Sequence, residues 1–439
     1  MKSLKNNIYF KVGVIIIIGL LLLIPTSMIK SLIRERERTQ ERAIHEVSLK
    51  WGEEQTLTGP FITIPYNRYI KQYSKKDSVD KIIVVKEYIH FLPSELIISG
   101  NINPERRYRG IYEIVVYNSV LNISGSFKSV TFTDFDIPFQ DIQFDKATLS
   151  IGISDLRGIE NQVSLNWNSD LHSFNPGTVT NDIIESGINT DININSNDSS
   201  SYVFSLNIDL KGSQQLYFVP VGEITDVTVS SEWNNPSFNG AFLPDHRAVS
   251  DTGFTANWNI LHLNRNFPQK WIGINNKTDE SAFGIDLLLP VDGYQKSMRS
   301  IKYAILFIGF TFIVFFFVEV LNKVFIHPIQ YLLVGIALVV FYTLLLSISE
   351  HLPYNMAFII SAVATLLLIV GYIKAILKSN QLTFLIGGIL TILYTFIFVI
   401  IQLQDYALLI GSIGIFIILG LVMYFSRKID WYNLNMDEE

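Results

Sequence analysis

The histidines, and the polar triplets around two of them, are the side chains in this sequence that could do acid–base or metal chemistry. No histidine lies in an H-E-x-x-H pattern or in another spaced ligand pair, so we predict no metal site and no cofactor. Residues 245–247 and 349–351 each place a histidine beside an acid, but a nucleophile and its base are defined by geometry and not by adjacency. We therefore predict no catalytic residue, and we interpret 245–247 as a polar loop that hydrogen-bonds its own backbone. The histidines are His45, His90, His172, His246, His262, His327 and His351.

Glu319 is the one ionisable residue inside a long apolar segment. Transporters and proton relays place such groups within the membrane, where each costs about 2.5–3.5 kcal/mol, and a single candidate argues against an ion pathway. Lys323 follows four residues later, a spacing at which opposite charges on a helix attract each other. We predict an interfacial ion pair between Glu319 and Lys323.

Glu350 and His351 lie in a short polar segment between two apolar runs, and Arg299 comes just before an earlier run. We predict that Glu350 and His351 dock on the external part of the chain, either on Arg299 or on a helix predicted at 31–51. Such a contact would couple the two halves of the protein. The basis of this prediction is position and charge alone.

The overall composition narrows the function classes. The chain has 439 residues, of which 49% are hydrophobic and 17% are charged. Soluble domains carry about 25% charged residues, and the deficit lies in residues 303–425, which hold six charges in 123 positions. The absence of cysteine rules out disulfides, thiolate nucleophiles and cysteine metal sites. A formal net charge of −6 gives no basis for nucleic-acid binding.

Six apolar stretches are long enough to cross a membrane, which takes roughly 20 residues for a helix. The first stretch follows three lysines, a pattern that also occurs in cleaved signal peptides. Because no A-x-A-like site follows it, we favour an uncleaved anchor. The stretches are residues 12–30, 303–320, 329–348, 356–373, 383–401 and 406–425.

Lysines and arginines in the short flanks predict the orientation, because cytoplasmic loops carry an excess of both. With the N-terminus inside, the inner flanks hold eight of these residues, and the outer short loops 347–355 and 402–405 hold none. We therefore predict a multi-pass protein of the bacterial inner membrane with both termini cytoplasmic and residues 31–300 periplasmic. The eight residues are Lys2, Lys5, Lys11, Lys323, Lys374, Lys378, Arg427 and Lys428.

The polar block after the first span changes its pattern at Trp51. Up to that residue, opposite charges recur three or four positions apart and predict a solvated helix over 31–51, with a helix that relays movement as the alternative. Beyond it, apolar and polar residues alternate with a period of two, which is typical of half-buried strands. The clearest strand stretches are 61–66, 81–91, 110–127, 147–153, 201–210, 223–233 and 284–291.

These patterns predict a membrane α-helical bundle of six transmembrane helices with a large all-β, sandwich-like periplasmic domain. The Asn- and Ser-rich run 189–201 is predicted to be an exposed loop tip, at which the domain could divide into two sub-sandwiches. The predicted parts are 1–30 (cytoplasmic N-terminus and first helix), 31–51 (external linker helix), 52–300 (β domain), 303–425 (five-helix membrane domain) and 426–439 (cytoplasmic tail).

Small residues four positions apart in two of the spans predict close helix packing in lipid. Packing inside the bundle is the expectation, and a contact between copies of the chain is the alternative. The residues are Ala357, Ser361 and Thr365 in the fourth span and Ala407 and Gly411 in the sixth.

Nine segments of the chain carry a resemblance to a known family. They are WGEEQTLTGPFITIP at 51–65, RRYRGIY at 106–112, SDLRG at 154–158, LKGSQQLYFVPVG at 210–222, SEWNNPSFNGAFLP at 231–244, GFTANW at 253–258, VDGYQKSMRSIKYAILFI at 291–308, IHPIQYLLVG at 326–335 and LLLSISEH at 344–351. In order and spacing they resemble the CreD family of bacterial inner-membrane proteins, and after about residue 380 only hydrophobicity matches. The resemblance implies a large periplasmic domain, a role in envelope integrity, colicin tolerance and the response to β-lactam stress, and no catalytic residues.

We predict a non-enzymatic membrane protein whose periplasmic domain binds an envelope component, either a protein or a glycan. The first alternative is a membrane-anchored hydrolase of envelope glycan or lipid, which needs two convergent carboxylates or a nucleophile with its base in a cleft. The second alternative is a transporter, which needs a polar cavity between its spans.

Overall fold

The computed structural model describes residues 8–74, 79–194, 201–274, 276–289, 293–403, 406–427 and 429. The chain forms two compact units, Arg42–Pro290 and Met1–Glu41 together with Val291–Glu439. We call them the β unit and the helical unit, and the bounds predicted from the sequence stay predictions. Some predictions concern positions outside the described residues: Lys2, Lys5 and Lys428, residues 195–200, and residues 430–439 of the predicted tail.

Long runs of Ile, Leu, Val and Phe form the membrane helices, because a helix satisfies its backbone groups internally and can carry apolar side chains on every side. The described chain contains eight α-helices, of which α3 is not one of these apolar runs. They are α1 (Ile8–Leu21), α2 (Leu23–Trp51), α3 (Gly293–Lys302), α4 (Ala304–Asn322), α5 (Pro328–Ser349), α6 (Tyr354–Leu377), α7 (Asn380–Gln402) and α8 (Ala407–Ser426). In the described residues, six helical segments are long and apolar enough to cross a membrane, counting Phe10–Trp51 as one. The predicted set of six apolar helices is confirmed.

Local residues end and restart these helices. Lys323 ends α4 and Lys378 ends α6, each in the left-handed conformation, with φ of 51° and 48°. His327 and Gln330 form a capping box around the start of α5, where Pro328 occupies the first turn. The connections from α4 to α7 are therefore short, which makes consecutive helices antiparallel neighbours.

Alternating apolar and polar residues build the β unit from seventeen strands in the described residues. The strands are β1 (Gln55–Ser74), β2 (Val79–Phe91), β3 (Glu95–Arg109), β4 (Tyr112–Phe127), β5 (Thr148–Ile153), β6 (Ser164–Trp167), β7 (Asp170–Ser173), β8 (Asn175–Pro176), β9 (Gly187–Asp191), β10 (Tyr202–Ser213), β11 (Gln215–Val219), β12 (Ile224–Ser231), β13 (Pro236–Gly240), β14 (His246–Ser250), β15 (Gly253–Leu261), β16 (Lys270–Ile272) and β17 (Phe283–Leu287). All seven stretches predicted as strands overlap these elements.

The strands form two sheets that enclose one buried core. The first sheet has the order β13-β17-β11-β1-β5-β9-β8, with β2 beside β1 and β16 beside β2, and the second has the order β14-β15-β12-β3-β4-β10-β6-β7. Across the core, Trp258 of the second sheet contacts Phe283 of the first with ring centroids 5.4 Å apart, and Phe254 contacts Phe238 at 5.7 Å. The predicted sandwich-like all-β domain is confirmed.

The Asn- and Ser-rich run at 189–201 differs from the prediction of a loop tip. Residues up to Asp191 belong to β9, and Ile192 and Ile194 are buried. The isoleucines alternate with asparagine and aspartate, so a period-two strand pattern underlies the polar composition. Both sheets contain strands from before and after this run, and the structure does not divide the sandwich there.

Candidate functional site

Glu319, near the end of α4, is 1% exposed and is held by three donors. Lys11 of α1 forms an ion pair with Glu319 Oε1, and the backbone N–H of Ile326 donates to the same oxygen at 3.1 Å. The Tyr331 hydroxyl donates to Oε2 at 2.9 Å. Lys11 Nζ also lies 4.2 Å from the centroid of the Phe325 ring. In these five residues, which we call the Glu319 cluster, both carboxylate oxygens have partners, as a buried charge requires.

The structure pairs Glu319 with Lys11 and, among the residues it describes, not with Lys323. Lys323 is exposed and closes α4 in a left-handed conformation, whereas Glu319 is buried. The predicted ion pair between Glu319 and Lys323 is corrected accordingly. The cation lies 308 positions away in the sequence, and no local spacing could have identified it.

Glu350 follows α5 and anchors a second group of polar contacts. Its Oε1 lies 3.5 Å from Arg36 Nε of α2 and accepts from the Tyr294 hydroxyl of α3 at 3.5 Å. The Glu350 side chain is 13% exposed and that of Arg36 is 46% exposed. His351 is exposed and Arg299 is half-buried, and in the described part of the chain no bond joins Arg299 to Glu350. The coupling role predicted for Glu350, His351 and Arg299 stays a prediction.

Further polar side chains near Glu350 connect the adjoining helix ends. The hydroxyls of Ser300 and Tyr354 lie 2.6 Å apart and join α3 to α6. Lys296 Nζ donates to Gln402 Oε1 at 3.2 Å, and Gln402 Nε2 donates to Asn355 Oδ1. We call these residues, with Arg36, Tyr294 and Glu350, the Glu350 cluster. Its tyrosines and long cations are typical of the headgroup layer of a bilayer.

The small residues predicted to pack helices divide into two groups. Ala357, Ser361 and Thr365 of α6 are buried inside the chain. Ala407 and Gly411 of α8 are half-buried. The α6 residues therefore serve packing within the protein, and a contact between copies through α8 stays a prediction.

Residues 245–247 lie at the start of β14. Asp245 Oδ2 accepts from the backbone N–H of Asn259 at 2.7 Å, and the Asp245 N–H donates to Asn257 O at 2.9 Å. The Arg247 guanidinium lies 5.8 Å from the Phe238 ring. These contacts to backbone and to a core ring are structural.

Four of the segments that resemble the CreD family meet where α2 ends. Arg157 Nη1 donates to the carbonyl of Leu49 at 2.7 Å, which satisfies an acceptor that the helix end leaves free. The Trp51 ring lies between Arg107, at 4.6 Å, and Lys211, at 4.8 Å. The last turns of α2 are thus fixed within the β unit.

A cleft of about 380 Å³ opens in the β unit near the ends of β2 and β4 and the start of β16. This volume lies within the range of about 300–1,000 Å³ typical of ligand sites. Eight of the twelve lining residues have polar side chains, and Phe91 and Phe127 contribute aromatic rings. The lining residues are Phe91, Leu92, Ser94, Phe127, Lys128, Ser129, Val130, Thr131, Glu223, His262, Gln269 and Lys270.

The charges at this cleft are already paired. Lys128 forms an ion pair with Glu223, and Lys270 forms one with Asp134. The hydrogen bond from Lys270 lowers the pKa of the Asp134 carboxyl. The cleft therefore offers hydrogen-bond donors and acceptors with little net charge, which favours a neutral polar ligand over an ionic one.

Arg265 holds the segment behind the cleft. Its guanidinium donates to the carbonyls of Phe267 at 2.5 Å and Val221 at 3.0 Å, and to the side chain of Gln269, which lines the cleft. Arg265 is 7% exposed, and among the described residues no carboxylate pairs with it. Burial lowers the pKa of Arg265 to about 10, so the side chain is charged at neutral pH.

A hydrogen-bonded chain of Thr63, His90 and Asp182 lies inside the β unit. His90 Nε2 donates to Asp182 Oδ2 at 3.0 Å, and Thr63 Oγ1 lies 3.1 Å from His90 Nδ1. The order resembles that of a nucleophile, base and acid, but Thr63 is 1% exposed and His90 is fully buried. A substrate cannot reach the Thr63 hydroxyl in this conformation, and the chain is structural.

Sequence reasoning did not identify Lys11, the cleft or this buried chain as sites. His90 carried the strongest available signal, because it is a polar residue between the apolar residues Ile89 and Phe91 in a predicted strand. The sequence gives no indication of its partner Asp182, which lies in a connection 92 residues away.

Comparison with known proteins identifies relatives over the whole chain. The sequence matches the family described as "Inner membrane protein CreD" over residues 7–432. It is 32% identical over 440 aligned positions to the inner membrane protein CreD of Escherichia coli (strain K12), covering 99% of this chain and 96% of that protein.

Two solved structures of one enzyme align weakly with the chain. An M1 zinc metallopeptidase from Deinococcus radiodurans aligns with a TM-score of 0.20 and 8% identity, covering 42% of each chain. A substituted form of the same enzyme aligns with a TM-score of 0.19 and 7% identity, covering 38% of each chain. At these TM-scores the likeness carries no argument about fold or function.

Proposed function

Because the chain belongs to the CreD family of inner membrane proteins, we propose that it supports the integrity of the bacterial cell envelope. In this proposal the helical unit anchors the chain in the inner membrane, and the β unit is periplasmic. The β unit binds an envelope component in the cleft beside Gln269, and no chemical step is required.

Two observations support the proposed orientation. The Glu319 cluster lies at the start of α5 and the Glu350 cluster at its end. Because consecutive spans run in opposite directions, the polar residues at their ends collect at the two opposite ends of the helices. The excess of lysine and arginine assigns the level of Lys11 to the cytoplasm. The β unit then follows α2 on the periplasmic side.

Reporter fusions test this orientation. We expect fusions after Lys378 and at the C-terminus to be active as cytoplasmic reporters, and an insertion within residues 195–200 to be active as a periplasmic reporter. The reverse pattern would overturn the assignment.

The cleft is the observation that carries the binding proposal. Its hydroxyl, amide and imidazole groups, together with two phenylalanine rings in the lining, suit a hydroxyl-rich segment such as an envelope glycan. A hydrolase would need two carboxylates about 5–9.5 Å apart, and among the described residues that line the cleft Glu223 supplies the one carboxylate. The cleft described between α2 and α5 is lined by apolar residues and by Thr343, which does not favour transport.

Photo-crosslinking in cells tests the binding proposal. A photoreactive amino acid at Thr131, which is exposed at the cleft, should capture a periplasmic glycan or envelope protein. The matched position is Thr252, an exposed threonine on the turn before β15. Lys128→Ala combined with Gln269→Ala should lower the yield from Thr131 and leave the background at Thr252 unchanged. Equal yields from the two positions would overturn binding in the cleft.

A further inference from the structure

The hairpin of β1 and β2 extends beyond the sandwich as a two-stranded ribbon. From Arg68 to Ser74, and from Val79 to Glu87, the two strands pair with each other, and no other strand of the described chain pairs with them. A two-stranded hairpin with nothing packed on it is marginally stable in water. The ribbon is therefore an element that gains stability from a surface to lie on.

One face of the ribbon combines apolar side chains with lysines. The strand register places Tyr69 opposite Val84 and Lys71 opposite Ile82, and alternate residues of a strand share a face, which adds Lys86 to this one. Tyr69 is 56% exposed, Ile82 66% and Val84 53%. We call these five residues the ribbon face. Exposed apolar groups in such a cluster mark an interaction surface.

The charge of this segment is opposite to that of the unit that carries it. Residues 67–88 contain six Lys or Arg and three Asp or Glu, whereas the rest of 42–290 contains 13 Lys or Arg and 26 Asp or Glu. The segment is thus basic, whereas the remainder of the unit is acidic. A partner with a negatively charged surface would be attracted to it and repelled by the remainder.

We propose that the ribbon face docks on the surface of a lipid bilayer that contains anionic phospholipid. Tyrosine and aliphatic side chains enter the headgroup boundary, and Lys71 and Lys86 reach the lipid phosphates, as amphipathic lysines do at membrane interfaces. The chain belongs to a family of inner membrane proteins, so a bilayer is part of its surroundings. This docking is independent of the cleft, which lies among other residues.

The absence of cysteine permits a direct test, because one introduced thiol can be labelled alone. Ile82→Cys carrying the fluorophore NBD is placed in the full chain, reconstituted in nanodiscs of phosphatidylcholine with or without phosphatidylglycerol. A second arm adds phosphatidylglycerol vesicles to the phosphatidylcholine discs. We expect NBD emission to shift to shorter wavelength and to rise at least about twofold with the anionic lipid, in one arm or the other. The matched label at Leu171→Cys, which is 77% exposed on β7, should not respond.

Charge variants test the role of the lysines. Each lysine near an anionic surface contributes about 1 kcal/mol, so Lys71→Gln with Lys86→Gln should raise the half-saturating vesicle concentration about 30-fold. Lys146→Gln with Lys277→Gln removes the same charge from exposed positions elsewhere in the β unit and should leave it unchanged.

Three outcomes would overturn the proposal. They are an unchanged NBD spectrum in both arms, an equal response to phosphatidylcholine alone, and a response that follows protein concentration while the unlabelled Ile82→Cys protein forms disulfide-linked copies. The last outcome would assign the ribbon face to a second copy of the chain. None of these results bears on crosslinking at Thr131, so the two proposals fail separately.

Discussion

Glu319 and Glu350 lie near the two ends of α5 and are held in different ways. Glu319 is 1% exposed and has a lysine, a phenol and a backbone N–H within bonding distance. Glu350 is 13% exposed and has two partners at 3.5 Å. Desolvating a charge costs several kcal/mol unless its bonds are complete, whereas an acid near water can keep long contacts because water supplies the rest. The first cluster is a buried lock between helices, and the second is a longer contact of a partly exposed side chain.

Removing the cation from Glu319 tests the lock and should give the largest effect. Lys11→Met leaves a buried carboxylate without its counter-ion, and we expect the free energy of unfolding to fall by about 3–5 kcal/mol. SDS titration of the protein in bicelles measures this loss. The double variant Lys11→Met with Glu319→Gln should lose less than the sum of the two single changes, because neither charge remains.

Lys374→Met is the matched control for this experiment, because Lys374 is an exposed lysine in the last turn of α6. If Lys11→Met costs no more than Lys374→Met, the Glu319 cluster does not lock the helices.

Arg265 extends the comparison to a buried charge that has no carboxylate partner in the described chain. Arg265→Met leaves the carbonyls of Val221 and Phe267 without this donor, and we expect a loss of about 2–3 kcal/mol. Urea unfolding of the full chain, followed by tryptophan fluorescence, measures it. Arg265→Lys should recover only part of the loss, because an ammonium cannot reproduce the fork of the guanidinium.

The exposed Arg247 gives the control for this change, as Arg247→Met removes a cation from the same unit. If Arg265→Met and Arg247→Met lower the free energy of unfolding equally, the hydrogen bonds from Arg265 to backbone carbonyls do not stabilise the β unit.

The sequence was sufficient for features that depend on local pattern and insufficient for those that depend on distant contacts. Apolar runs predicted six helices, and alternation predicted strands such as 61–66 and 147–153, because each signal repeats within a few residues. The ion pair of Lys11 with Glu319 and the parallel pairing of β1 with β11 join residues that are far apart in the sequence. Neither contact produces a local pattern from which it could be predicted. The strand at Gly187–Asp191 was not predicted because its composition is largely polar. Its inward residues alternate with asparagine and aspartate, as in other strands.

Asp182 provides an intermediate case, since its side chain is 11% exposed and bonds to His90. The hydrogen bond from His90 lowers the pKa of the Asp182 carboxyl below its ordinary value of 3.8. A carboxyl with a lowered pKa stabilises the fold fully above its ordinary value, and this contribution is lost as the pH falls through the lower folded value. Asp182→Asn should therefore cost about 1 kcal/mol at pH 7 and should flatten the decline in Tm below about pH 4.

Thermal unfolding measured between pH 3 and pH 8 checks this prediction. Asp170→Asn changes an exposed aspartate of β7 and should leave the acid limb as it is. An acid limb for Asp182→Asn that is as steep as that of the unsubstituted chain would contradict the assignment.

The smallest effect on stability is expected at Glu350, and it decides whether the looser cluster has a function. Glu350→Ala with His351→Ala removes the partly exposed ion pair of Glu350 with Arg36. We therefore expect the free energy of unfolding to fall by at most about 1 kcal/mol. We propose that Glu350 nevertheless couples the two units, because Arg36 lies on α2 and this helix continues to Trp51 in the β unit. The envelope phenotype should then change while the protein level stays constant, and Arg36→Glu with Glu350→Arg should restore it. If protein level, Tm and phenotype are all unchanged in the alanine variant, the 3.5 Å contact is incidental and the lock at Glu319 is the only one of the two clusters that matters.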